Sequence, residues 1–84
     1  MSTITLERVV EVLDELVDLS GITPAADSRL GLDIAITSQE MLRLTSRLEA
    51  RFGFRFLPGQ VLMVRTMGDL VQLARERVAA GGRP

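Results

Sequence analysis

Asp33-Ile34-Ala35-Ile36-Thr37-Ser38-Gln39-Glu40-Met41-Leu42 is the stretch on which the reading of this chain turns. A long loop gives way here to an amphipathic helix. Met41, Leu44, Thr45, Leu48 and Phe52 fall at i, i+3, i+4, i+7 and i+11, one apolar stripe of a helix running from about Ser38 to Phe52. Thr37-x-x-Glu40 marks its start as a capping box: the Thr hydroxyl can accept from the N–H of Glu40, and the Glu carboxylate from the N–H of Thr37. Gly53 ends it. Ser38 is thereby a hydroxyl in the first turn of a well-specified helix.

The same grammar extends in both directions. Upstream, Leu6, Val9, Val10, Leu13, Leu16 and Val17 predict a first helix over Leu6 to Leu19, with Thr5 as N-cap, Glu7 in the first turn and Ser20-Gly21 as the stop. Residues 20–36 then make a loop of a length that is uncommon in compact domains. Its Ile22, Leu30, Leu32, Ile34 and Ile36 suggest a loop pinned to the core, with room for a helical turn around Ser28–Leu32. Downstream, Phe54, Phe56 and Leu57 form an apolar connector. Pro58 to Val64 reads as a short third helix with Pro58 at its first position. Thr66-Met67-Gly68-Asp69 repeats the cap signature, and Met67, Leu70, Val71, Ala74 and Val78 stripe a last helix. Ala79 to Pro84 reads as a polar tail. The fold class expected is all-α: a small four-helix bundle with a long first loop and a short third helix, one domain over residues 1–84 with its core over about 5–78.

Composition narrows what such a domain can do. Eighty-four residues bury only about 60% of the unfolded surface, so the margin of stability is small. The only aromatics are three Phe, so the core must be aliphatic, and Met41, Met63 and Met67 are expected to fill it. With neither Cys nor His, thiolate nucleophiles, imidazole bases and the common zinc sites are excluded, and the chain is not expected to be an enzyme or to bind a metal. No apolar run approaches the roughly 18 residues of a membrane span, and no basic-then-apolar N-terminal pattern suggests secretion, so a cytoplasmic protein without membrane insertion is expected. The formal charge of −1 hides an asymmetry: residues 1–37 carry seven acidic residues against Arg8 and Arg29, whereas 38–56 carry Glu40 and Glu49 against four Arg. Every cation is Arg. Net negative charge and the lack of Tyr and Trp argue against nucleic acid.

Four segments, Thr5-Leu6-Glu7-Arg8-Val9, Asp33 to Ser38, Leu48-Glu49-Ala50-Arg51-Phe52-Gly53 and Thr66-Met67-Gly68-Asp69-Leu70-Val71, together resemble the acyl carrier protein family. Thr5-Leu6-Glu7-Arg8-Val9 opens the first helix as that family does. Asp33-Ile34-Ala35-Ile36-Thr37-Ser38 stands where the family has Asp-Leu-Gly-x-Asp-Ser. Leu48-Glu49-Ala50-Arg51-Phe52-Gly53 is similar to Leu-Glu-x-x-Phe-Gly, and Thr66-Met67-Gly68-Asp69-Leu70-Val71 to Thr-Val-Gly-Asp-Leu-Val. The pattern runs from residue 5 to about 75 without a gap. A competing register through Leu30-Gly31-Leu32-Asp33 would put Ile34, which has no hydroxyl, at the key position.

The resemblance implies that Ser38 carries a 4'-phosphopantetheine arm, attached by a phosphopantetheinyl transferase, and that acyl or polyketide intermediates ride on it as thioesters between acyl-transferring or condensing enzymes. A monomer is implied. The chain departs from the family at Thr37, where a carboxylate is usual, at Gln39, where Leu is usual, and at Ala35, where Gly is usual. Arg43, Arg47 and Arg51 fall at i, i+4 and i+8 and give a basic stripe where the family is acidic, with Glu40 placed to pair with Arg43. Thr37, Gln39, Leu42, Arg43 and Arg47 are the expected partner-docking residues, for a specialised partner set that rejects the family's usual basic enzymes. The alternative is an unmodified carrier-like module with an interaction or regulatory role.

Overall fold

In the computed structural model, which describes residues 4–81, Thr5 begins the first helix, α1 (Leu6–Leu16), by accepting the N–H of Arg8 at 3.2 Å. Val9, Val12 and Leu13 are its buried residues. Val12 lies outside the single stripe read from the sequence. It is fully buried because α1 packs against both other helices, so it must be apolar on two faces. The helix stops three residues before the expected Leu19. Val17 turns extended (φ −133°, ψ 152°), and Val17 and Leu19 both reach the core from alternate positions of the extended chain. Ser20 (φ 48°) and Gly21 (φ 82°), expected as the stop, therefore do not end the helix; they form a separate left-handed turn after the extended segment, with Asp18 accepting the N–H of Ser20 at 3.0 Å.

The second helix, α2 (Ser38–Phe52), has the expected limits: a complete capping box at Thr37 and a left-handed Gly53 (φ 70°) at its end. Leu44, Thr45, Leu48 and Phe52 are buried. The third, α3 (Met67–Ala79), starts on a second complete box, Thr66 with Asp69, and buries Met67, Leu70, Val71 and Ala74. Among the described residues these three are the only α-helices, and two isolated bridges, with no strand, are the only extended pairing. The fold is all-α. Among the described residues no helix is long and apolar enough to cross a membrane.

The segment expected as a third helix is instead a single 3-10 turn, Gln60–Met63, none of whose residues is buried. Pro58 does not open it. Gly59 has φ 86° and ψ −20°, and Gln60 donates its N–H to the carbonyl of Leu57 at 3.2 Å, so Leu57-Pro58-Gly59-Gln60 is a type II turn, with Pro and Gly at the positions that turn requires. Met63 is 77% exposed and fills no core. Met67 does, and Met41 packs at the core's edge. Four packed α-helices are therefore not what the described residues show.

The long loop is held by α3. The N–H groups of Met67 and Gly68, which start that helix and have no acceptor within it, donate to the carbonyls of Ser28 (3.0 Å) and Ala26 (2.8 Å), while Leu30 donates to Arg65 (2.9 Å). The helical turn expected at Ser28–Leu32 does not form. The carbonyl of Arg29 gathers the N–H groups of Leu32, Asp33 and Ile34 in a tight reversal through Gly31 (φ 92°), and Asp33 closes it on the N–H of Arg29 at 2.8 Å. Of the loop's aliphatics, Ile34 is buried and Leu30 and Ile36 lean on the core, whereas Ile22 and Leu32 are exposed. The buried residues of all these segments join in one hydrophobic cluster. The expected polar tail beyond Gly81 lies outside the described residues.

Candidate functional site

Ser38 is exposed at the first position of α2, immediately after the N-cap. Thr37 accepts the N–H of Glu40 at 3.1 Å, and Glu40 accepts the N–H of Thr37 at 2.8 Å, so the backbone that carries the hydroxyl is tied from both sides. The N–H groups of Ser38 and Gln39 lie ahead of the first intrahelical bond, which Met41 makes to the carbonyl of Thr37. With the positive end of the helix dipole, they favour an anionic substituent at this end.

Beside Ser38 opens a groove of about 390 Å³, within the usual range for small-molecule sites of about 300–1,000 Å³. Met41 and Leu42 of α2 form one wall, and Val61, Leu62 and Val64 from the 3-10 turn and its exit form the other. Leu30 and Ile36 from the loop complete it. Thr37 and Ser38 are the hydroxyl-bearing residues at its edge. The groove is thus an apolar slot with a free hydroxyl on its rim.

The basic stripe is altered by folding. Arg51 forms a two-toothed pair with Glu15 of α1 (2.9 and 3.0 Å), and Arg47 reaches the same carboxylate at 2.9 Å. The hydrogen bonds from Arg51, helped by those from Arg47, hold the Glu15 carboxyl below the ordinary glutamate range, and Glu15 in turn pushes the Arg51 guanidinium up. The expected pair between Glu40 and Arg43 is not made, because the Glu40 carboxylate is engaged at the N-cap. Arg43 has no ion pair among the described residues. Of the expected docking residues, Thr37 and Leu42 share the groove with Ser38. Gln39, Leu42, Arg43 and Arg47 surround a shallower depression on the outer face of α2. Arg47 is the one already committed to an internal partner.

Neither the groove's second wall nor the clamp at Glu15 is legible in the sequence. Val61 and Leu62 lie about twenty residues beyond Ser38 and were legible only as apolar. Glu15 is 32 and 36 residues from its partners, so no local pattern reports the contact. No protein-family model matches the chain, and it matches no curated protein and no solved structure at a significant level.

Proposed function

We propose that this protein is an acyl carrier: Ser38 takes a 4'-phosphopantetheine arm, and acyl or polyketide intermediates ride on it between enzymes of a specialised biosynthetic pathway. The observation that carries the proposal is the juxtaposition of an exposed serine hydroxyl, fixed at the start of a doubly capped helix, with an apolar groove of ligand size. The arm supplies a thiol that holds the acyl group as a thioester. The chain's own residues do the rest. Thr37 and Glu40 hold the helix start rigid, the free first-turn N–H groups favour the phosphodiester's charge, and Met41, Leu42, Val61 and Leu62 offer apolar cover for an acyl chain. The carrier architecture with a short third helix belongs to the same proposal, with the Gln60–Met63 turn in that helix's place. So do cytoplasmic location, a monomeric state, and partnership with a phosphopantetheinyl transferase and acyl-transferring or condensing enzymes.

Co-expression with a promiscuous phosphopantetheinyl transferase, followed by intact mass, tests the proposal. A single arm's mass gain that disappears in Ser38→Ala is expected. No gain, or a gain that survives that substitution, refutes it.

A second reading, an unmodified module with an interaction or regulatory role, is favoured by Thr37 and Gln39, which present no carboxylate and no apolar side chain beside Ser38. A Thr37→Asp/Gln39→Leu variant separates the two. Modification of the variant alone, even with transferases of the native host, supports the second reading.

A further inference from the structure

The Gln60–Met63 turn has two sides. Val61 and Leu62 line the groove beside Ser38, whereas Gln60 and Met63 line a second cleft that the turn forms with the outer face of α3. Val64 borders both. The second cleft holds about 340 Å³, again of small-molecule size. Asp69, Gln72, Leu73 and Glu76, at i, i+3, i+4 and i+7 of α3, make its helical wall. Its charged residues are these two carboxylates, and no cation lines it. Asp69 is committed to the helix start, where it accepts the N–H groups of Arg65 and Thr66 at 3.1 Å each. Glu76 is less occupied. One of its oxygens accepts the side-chain amide of Gln72 at 3.1 Å, and the other has no donor among the described residues. Nor has it an ion pair among them: Arg75 and Arg77, its neighbours in sequence, donate instead to the carbonyls of Ile4 (2.8 Å) and Arg55 (2.7 Å).

We infer that this cleft binds an alkyl cation, an ammonium or guanidinium on an unbranched apolar stem, and that the bound cation braces the 3-10 turn against α3. Both ends of such a ligand find a partner. Glu76 and the side-chain oxygen of Gln72 accept from the charged head, and Met63 and Leu73 cover the stem. An anion would meet two carboxylates, and a neutral alkyl ligand gains nothing from Glu76. The turn is the part that such a ligand steadies. None of its residues is buried, whereas α3 is anchored by Leu70, Val71 and Ala74 in the core. A ligand that touches Gln60 and Met63 on one side and Gln72 and Glu76 on the other ties the loose element to the fixed one. The same cation can arrive as a free amine or as the lysine or arginine side chain of another protein, and the experiment below separates the two. The cleft stands without the carrier reading. What bracing does to cargo rests on that reading: the turn is also a wall of the groove beside Ser38, so a bound cation stiffens that wall.

The test titrates n-hexylammonium, hexanol and hexanoate by NMR, near neutral pH, into the unmodified chain and its Ser38→Ala variant. Hexylammonium is expected to bind both, with a Kd of about 1–10 mM for so small a ligand in an open cleft, shifting the amides of Gln60, Met63, Gln72 and Glu76. Hexanol should bind about three- to fivefold more weakly, and hexanoate more weakly still. Glu76→Gln should bring hexylammonium down to the hexanol level, whereas Asp14→Asn, which removes the same charge from α1 outside the cleft, should change its affinity by less than about 1.5-fold. Met63→Ala, at an exposed position outside the core, should weaken hexylammonium and hexanol alike. Saturating hexylammonium should slow amide exchange across Gln60–Met63 at least about twofold. A blocked peptide, Ac-Ala-Lys-Ala-NH2, names the source: tighter Glu76-dependent binding of the peptide points to a protein side chain, and tighter binding of hexylammonium to a free amine. Equal binding of the three hexyl ligands, no saturable binding, shifts elsewhere on the surface, a Glu76→Gln variant that binds like the parent, or unchanged exchange in the turn overturns the inference. The Ser38→Ala chain has no hydroxyl to modify, so failure of the cleft and failure of the carrier reading are read separately.

Discussion

Replacing Gly68 with alanine sets two physical effects of opposite sign against each other at one atom. Gly68 is the second residue of α3, with a helical backbone that any residue adopts, so propensity alone favours alanine by up to about 1 kcal/mol. A Cβ at this position, however, would lie 2.9 Å from the carbonyl oxygen of Ala26 and 3.3 Å from its Cβ. The obstructing oxygen is backbone, and it is the acceptor for the N–H of Gly68 itself at 2.8 Å. The methyl group can enter only if the loop withdraws from the helix, stretching that bond and the neighbouring one from Met67 to Ser28. Overpacking of this kind costs about 1–3 kcal/mol, and a weakened hydrogen bond about 0.5–1.5 kcal/mol. The losses exceed the propensity gain, and the expected net effect is a destabilisation of about 1–3 kcal/mol, or roughly 4–8 °C in Tm per kcal/mol for a domain of this size. Urea unfolding of Gly68→Ala measures it, with the slope m expected to stay at the parent value. Hydrogen exchange adds the local signature: the amides of Met67, Gly68 and Leu30 should lose more protection than those of α2. A midpoint equal to or above that of the parent chain would refute the reasoning, because it would mean that the loop yields at no cost.

The capping box at Ser38 gives a coupled pair: Thr37→Val and Glu40→Ala should each cost about 1 kcal/mol by urea unfolding, and the double variant less than their sum, since each change removes half of one reciprocal arrangement. Additive costs would show that the two bonds act independently. Thr37→Asp should leave stability within a few tenths of a kcal/mol, so that any change it brings in modification belongs to recognition. Three carboxyls are held below their ordinary range: Glu15 by Arg51 and Arg47, Asp33 by the backbone N–H and side chain of Arg29, and Asp69 chiefly by the N–H groups of Arg65 and Thr66. Depressed folded-state values mean that their stabilisation is complete above the unfolded-state range, near pH 4, and is lost as pH falls through the folded values. Thermal unfolding should therefore be flat from neutral pH to about 5 and fall below about 4, and Glu15→Gln/Asp69→Asn should flatten that acid limb. An unchanged limb would exclude these groups as its source. Amide exchange should be faster across Gln60–Met63 than anywhere in the three α-helices, because no residue of that turn is buried.

Helix starts were legible because capping is a three-residue affair. Thr5, Thr37 and Thr66 each reach the N–H three positions on, and nothing distant is needed to see it. The end of α1 was not legible, because Val17 and Leu19 reach the core equally well from a helix or from an extended chain, and periodicity cannot choose between routes that bury the same residues. Pro58-Gly59 was ambiguous in the same way: Pro opens helices and type II turns alike, and only the positive φ of Gly59 decides. At the site, the position of Ser38 followed from local spacing. The groove did not, since Val61 and Leu62 are legible only as apolar residues of an expected short helix until the fold leaves Leu62 standing in water. The Arg stripe was visible, but its neutralisation by Glu15 depends on how α1 lies against α2, which helical periodicity along either segment does not encode.

The two walls of the groove differ in what holds them, and this bears on how one slot could serve a cargo that arrives and leaves. The Ser38 wall is α2, fixed by a capping box at its start and by Leu44, Leu48 and Phe52 in the core. The opposite wall is a 3-10 turn with no buried residue, bracketed by the Leu57–Gln60 type II turn and by Val64, which only leans on the core. Displacing that wall breaks few apolar contacts, whereas displacing α2 disrupts the core itself. Free energies of local opening follow that difference, so the groove can change width while the hydroxyl on its rim keeps its position. A rigid attachment point next to an adjustable apolar cover suits a carrier, whose hydroxyl must be presented in one geometry to a modifying enzyme while its groove admits and releases chains. A purely regulatory module would gain nothing from that asymmetry, and it gives the exposed Leu62 beside the hydroxyl no part to play.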